Sequence, residues 1–124
     1  MSVNYKNIYL SIGALSQALG IHQRTLRIYD KQGILTPSRT PGDRRSYAIS
    51  DLERAKFILF LSRNLGINLA GIKFVIAVFD EYKIKPENYF KHTDSIIKKL
   101  NITTSEQQNN ILKNSKRGRP KIKK

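Results

Sequence analysis

The chain contains no cysteine, which removes a disulfide framework, a thiolate metal site and the usual kind of redox switch. No apolar run approaches the ~20 residues of a membrane-spanning helix. Met1 to Asn7 lacks the apolar stretch of a secretory leader. A soluble, cytoplasmic protein with no membrane partner is therefore expected. The signatures of catalysis are missing too: there is no phosphate-binding glycine loop, no His-Glu-x-x-His, and no nucleophile and base at a recognisable spacing, so an enzyme is not expected. The two histidines, His22 and His92, read as ordinary polar residues, and neither a metal nor a cofactor is expected.

Acidic residues are the scarce charge. Nine Asp and Glu face 23 Lys and Arg, for a net charge of +14 on 124 residues. A chain of this size forms one small domain with a modest core. Residues 1–48 carry seven basic and two acidic groups, residues 49–82 four of each, residues 83–112 five and three, and residues 113–124 seven and none. Solubility does not demand such segregation, whereas a polyanion touched at two places does.

The apolar spacing predicts a mostly α chain. Ser11 suits the N-cap of a helix with Ile12, Leu15 and Leu19 on one face, ended by Gly20. A second helix begins at His22 or Gln23, runs through Lys31 and stops at Gly33. Two short helices joined by a tight turn make a helix-turn-helix. From Thr36 to Ala48 the helical period gives way to a small β-hairpin, a wing, with Thr40-Pro41-Gly42-Asp43 fitting a type II turn in which Gly42 supplies positive φ. A third helix is expected from Ser50, opened by a Ser50–Glu53 capping box, with Leu52, Ala55, Ile58, Leu59 and Leu65 inward and Gly66 closing it. Asn68 caps a fourth, with Leu69, Ile72, Ile76 and Phe79 inward. Pro86 opens a fifth, running to about Leu100, whose apolar residues are Phe90, Ile96, Ile97 and Leu100. A short helix over 105–113 and a disordered tail from Asn114 follow.

The second helix carries the first candidate site. With Leu26 inward, Arg24, Ile28 and Lys31 face outward, Thr25 and Arg27 flank them, and Tyr29 lies at the boundary. Such a face is suited to guanine edges and phosphates in a major groove, and equally to a solvated surface. Around the wing turn stand Arg39, Arg44 and Arg45, for which the nearest acid in sequence is Asp43. Arginine at a hairpin tip suits phosphates or a minor groove. Tyr47 is placed either to hydrogen-bond a phosphate or to enter the core with its polar tip free.

The run IHQRTLRIYDKQGILTPSRTPGDRRSYAISDLERAKFI, followed by LGINLAGIKFVI, resembles the DNA-binding domain of the MerR family of bacterial transcription regulators, over roughly residues 8–80. The resemblance implies a winged helix-turn-helix with Arg24, Thr25, Arg27 and Tyr29 on the recognition helix and Arg39, Arg44, Arg45 and Tyr47 on the wing and its approaches. Lys31 is added to that DNA-binding set from its outward place on the same helix. Ile28 stands where many members have a second aromatic. Ser46 replaces an arginine of the wing motif, while Arg44 takes the place of its histidine. With 41 residues after Lys83, the chain is similar to a short-tailed subgroup, the HspR-type repressors or PigR/FevR-type activators.

The expected organisation is a winged-helix domain over 1–83, a helical extension over 84–113 for dimerisation, and a basic tail over 114–124. In the tail, Arg117-Gly118-Arg119-Pro120 resembles an AT-hook core suited to a narrow minor groove. A protein-binding tether and unspecific solvated charge are the other readings of that tail. The family implies a homodimer on double-stranded promoter DNA. An accessory protein is expected in place of a small-molecule effector: RNA polymerase, or a polymerase-associated partner of the stringent-starvation-protein kind, met through the tail. The alternatives are an excisionase-like architectural DNA-binding protein, or an adaptor whose basic tail docks on an acidic protein.

Overall fold

A computed structural model describes residues 8–104; the expected 105–113 helix and the basic tail, with Arg117, Gly118, Arg119 and Pro120, lie outside the described residues. Strand β1 (Tyr9–Ser11) leads into helix α1 (Ile12–Leu19), then α2 (Gln23–Lys31), strands β2 (Ser38–Arg39) and β3 (Arg45–Ala48), α3 (Ile49–Arg63) and α4 (Leu69–Glu81). A 3-10 turn (Pro86–Asn88) then enters α5 (Tyr89–Leu100).

Local chemistry sets the first helices. The Ser11 hydroxyl accepts the Ala14 N–H at 3.0 Å, and Gly20, left-handed at φ 68°, ends α1. His22 caps α2, its Nδ1 accepting the Arg24 N–H at 3.0 Å. Gly33, at φ 74°, then turns the chain so that Ile34 and Leu35 both donate to the Tyr29 carbonyl, at 3.0 and 3.3 Å. Those two residues are thereby delivered into the core beside Leu26.

The wing belongs to a three-stranded antiparallel sheet in the order β1-β3-β2. Leu10 pairs with Tyr47, and Arg39 with Arg45. Strand β1 has three residues, too few to show an alternation in sequence, and gains its identity from pairing with β3. The hairpin loop corrects the type II expectation. Asp43 donates to the Thr40 carbonyl at 2.8 Å and Thr40 to the Arg44 carbonyl at 2.9 Å. Positive φ falls on Asp43, at 62°, and not on Gly42. A turn followed by one left-handed residue matches the strand twist of a three-residue hairpin loop, and aspartate tolerates that conformation.

Helix α3 begins one residue earlier than Ser50. Asp51, not Ser50, supplies the cap, its carboxylate accepting the Ala48 N–H at 2.8 Å. Its apolar side is also broader than one stripe: Ala55, Phe57, Ile58 and Leu61 are buried, Leu52 and, beyond the helix end, Leu65 pack half-buried against the core as expected, and Leu59 is half-buried. Helix α3 meets β3, α4, the 3-10 turn and α5, so a single-face periodicity understates what it buries. Each fully enclosed side chain of the size of Ile58 contributes about 1.5–3 kcal/mol. Asn68 caps α4 through the Gly71 N–H at 2.9 Å, and Ile72, Ile76 and Phe79 point inward as expected.

Helix α5 ends at Leu100 as expected. It buries Tyr89 and Thr93, whereas Phe90, Ile96 and Leu100 remain partly exposed. Tyr89 stacks into Phe57 and Phe79 at centroid distances of 4.8 and 5.4 Å, and the edge of Phe90 meets Phe57 at 5.6 Å. The side of α5 carrying Ile96 and Ile97 instead borders an apolar groove of about 260 Å³, closed on the other side by Leu61, Val75 and Val78.

Arg54 joins these parts. Its Nε donates to the Ile34 carbonyl at 2.8 Å, Nη1 and Nη2 grip the Asp80 carboxylate at 3.1 and 3.2 Å, and Nη1 reaches the Tyr89 hydroxyl at 3.4 Å. Burial pushes the Tyr89 phenol up and the Arg54 charge opposes it, so the ring stays neutral and accepts. Arg54→Ala is expected to lose about 1–3 kcal/mol, a charge-assisted bond to a carbonyl outweighing the screened ion pair. Asp80→Asn, which keeps an acceptor, is expected to lose less than about 1 kcal/mol. Urea unfolding followed by helical circular dichroism measures both, and equal losses would place the stabilisation in the ion pair instead.

Candidate nucleic-acid interface

Helix α2 presents two chemically distinct sides. Leu26, fully enclosed, and Tyr29, 7% exposed, face the core. Arg24, Arg27, Ile28 and Lys31 face solvent, with Thr25 half-buried on the flank. Arg27 Nη2 donates to Gln23 Oε1 at 3.0 Å, one turn back. Arg24 and Lys31 make no ion pair among the described residues, so their charge is available to an anion.

The wing arginines divide in two. Arg44 is exposed at the loop and holds no side-chain partner among the described residues. Arg45 Nε donates to Asp30 Oδ2 at 2.9 Å, and Arg39 Nη2 lies 3.5 Å from the same oxygen. Arg39 Nη1 also donates to the Asp43 carbonyl at 3.3 Å. Of these two arginines Asp43, the nearest acid in sequence, reaches only Arg39, its carboxylate lying 4.0 Å from Nη1. Asp30, fifteen residues before Arg45 and with its side chain only 14% exposed, is their shared partner. It sits in the last turn of α2, so the bond ties the end of the helix to the sheet that carries the loop. Arg39 is held between the two carboxylates and remains nearly half exposed.

The tyrosines stand elsewhere. Tyr47 is fully enclosed and its hydroxyl has no hydrogen-bond partner among the described residues. Burial pushes its phenol up; Arg45 opposes that shift, and Asp30 and Asp51 add to it. Tyr29 is raised in the same way by burial, against the charge of Arg63. Both are neutral aromatic supports whose rings pack beneath the surface formed by Arg24, Arg27, Lys31, Arg39 and Arg44. The placement of Tyr29 and Tyr47 with the surface contacts is revised accordingly: the strand and helix periods turn both rings inward.

Asp30 and Arg54 are the residues that reading along the chain missed. Asp30 is the sole acid in the first 42 residues, a signal that it pairs with something, but its partners lie at no helical or strand spacing. Among the described residues no group of three or more His, Cys, Asp or Glu is arranged to hold a metal ion, and no helix is long and apolar enough to cross a membrane.

A family model described as MerR HTH family regulatory protein matches residues 10–77. The chain is 45% identical over 65 residues to the putative heat shock protein HspR of Streptomyces coelicolor, covering 52% of this chain and 43% of that protein. It is 37% identical over 92 residues to the HTH-type transcriptional regulator ZntR homolog of Haemophilus influenzae, covering 73% and 67%. To the regulator HmrR of Rhizobium leguminosarum it is 29% identical over 72 residues, 58% of this chain and 55% of that protein. The matches thus span about half to two thirds of these relatives. Two solved structures share the fold: HiNmlR, described as a MerR family regulator lacking the sensor domain and bound to promoter DNA, at a TM-score of 0.54 and 24% identity over 76% of each chain, and the HTH-type regulator SkgA from Caulobacter crescentus, at 0.64 and 20% over 90% of this chain and 75% of that one.

The Asp30 joint is measurable by a double-mutant cycle on stability. Asp30→Ala with Arg45→Ala is expected to show a coupling of about 1–2 kcal/mol, the pair being short and largely shielded. Asp30→Ala with Arg39→Ala is expected to couple by less than about 1 kcal/mol, because that pair is longer and solvent-screened. Coupling of the same size in both cycles would contradict the geometry.

Proposed function

The chain belongs to the MerR HTH family of regulatory proteins, and from that premise we propose that it is a sequence-specific DNA-binding transcription regulator acting at promoters. The observation that carries this reading is the outward cationic face of α2, held to the arginine-bearing hairpin by the Asp30–Arg45 bond at 2.9 Å. A helix of this diameter fits a major groove, where Arg24 and Arg27 supply forked donors to guanine edges or phosphates. Lys31, Arg39 and Arg44 are placed for the phosphate backbone beside it, a contact that orients the protein without reading sequence. Thr25, on the flank of α2, is assigned to the same set, while Tyr29, Arg45 and Tyr47 act from beneath by holding the two surfaces.

We further propose a homodimer on an inverted repeat, assembled through the extension over 84–113. What supports it is apolar surface the fold itself does not use: Phe74 on α4 and Tyr82 at its C-terminal cap are more than 70% exposed, Ile96 and Leu100 on α5 are exposed as well, and Phe74 and Ile96 line the same groove. Two copies would present two recognition helices to successive turns of a duplex. An accessory protein or RNA polymerase would supply the regulatory input, with the basic tail as its contact. Pull-downs with the full chain and with residues 1–112 test that part, and recovery of the same partners by both would rule the tail out.

The DNA contacts separate by their salt dependence. Arg44→Ala is expected to weaken binding to every sequence alike and to reduce the slope of log affinity against log salt by about one. Arg24→Ala is expected to cost ~1–3 kcal/mol mainly at one base pair of the site. Footprinting across promoter fragments supplies the sites, and full-length protein that protects none of them refutes the proposal.

A further inference from the structure

We propose that Ile28 is a specificity-determining residue that reads the C5 methyl group of thymine in the major groove. The inference rests on the DNA-binding reading above. Ile28 is 42% exposed on the outward face of α2, one turn after Arg24 and one turn before Lys31. On α2 and the hairpin it is the only exposed large apolar side chain among the described residues. Folding does not account for it: Leu26 and Tyr29 carry the buried side of the helix, and a β-branched residue is a mediocre helix former. Its methyl groups remain in water until a partner covers them.

The chemistry of the surrounding face selects that partner. Arg24, Arg27 and Lys31 draw α2 onto a polyanion, but charge meets phosphates that are alike at every base pair. Among the groups displayed in a major groove, the thymine methyl is the apolar one. An isoleucine between an arginine and a lysine, each a turn away, is carried to the base edges by the same docking that seats the cations. Contact there rewards thymine over cytosine by excluding water from two apolar groups.

Duplexes selected from a random pool by the full chain provide the probe. Each thymine of a selected site is replaced in turn by deoxyuridine, which removes only the C5 methyl, and affinities are measured for the wild type, Ile28→Ala and Ile28→Thr. The expected result is a thymine in each half-site at which deoxyuridine weakens wild-type binding about fourfold, the worth of one buried methyl. Ile28→Ala is expected to abolish that sensitivity, and Ile28→Thr to leave part of it. If no thymine is sensitive, or if the losses from deoxyuridine and Ile28→Ala simply add, the assignment is overturned while DNA binding stands. If the full chain selects no duplex, both fail. The wild-type arm needs no variant, and alanine's higher helix propensity keeps Ile28→Ala folded, as thermal unfolding verifies.

Discussion

One carboxylate organises the cationic surface. Asp30 lies at the end of α2 and meets Arg45 of β3 at 2.9 Å and Arg39 of β2 at 3.5 Å. Without it, a nine-residue helix and a two-residue edge strand would be joined only through the shared core, and each would present its arginines independently. A pair largely shielded from solvent holds its geometry better than one exposed on both sides, because water competes less for the donors. The end of the helix and both wing strands are thus positioned by the same three side chains.

Arg54 performs a comparable task at the rear. It satisfies the Ile34 carbonyl, just past the glycine turn that follows α2, while gripping Asp80 and touching Tyr89. Through one guanidinium the turn after α2, the end of α4 and the start of α5 are held in common. The aromatic contacts of Phe57, Phe79 and Tyr89 lie alongside. Helix α5 is therefore tied toward α2 by a polar contact as well as by an apolar one. The neutral charge balance of residues 49–82 suits this scaffold, since like charges packed around a small core would repel each other.

Much of the fold was legible along the chain because its signals are local. Ser11, Asn68, Gly20 and Gly33 act on backbone groups within a few residues, and each does in the structure what its type suggests. The errors share a cause as well. Gly42 was read as the left-handed residue of the wing turn, yet sheet twist moves that conformation to Asp43. Ser50 looked like a cap until β3, paired on both sides, continued to Ala48 and left Asp51 to take its N–H. The apolar residues of α5 name no buried side by themselves, and the packing of Tyr89 against both Phe57 and Phe79 accompanies the burial of Tyr89 and Thr93.

The linear order of residues determined the caps at Ser11 and Asn68, the stops at Gly20 and Gly33, the helix-turn-helix, the existence of a wing and the outward placing of Arg24, Arg27, Ile28 and Lys31, because capping, turn chemistry and the helical period operate over one or two turns. Tertiary structure alone decided which arginines are free and which are held, that Tyr29 and Tyr47 lie beneath the surface, and which side of α5 is covered. Those outcomes depend on groups separated by 15 to 35 residues meeting in space, and no local period records such a meeting.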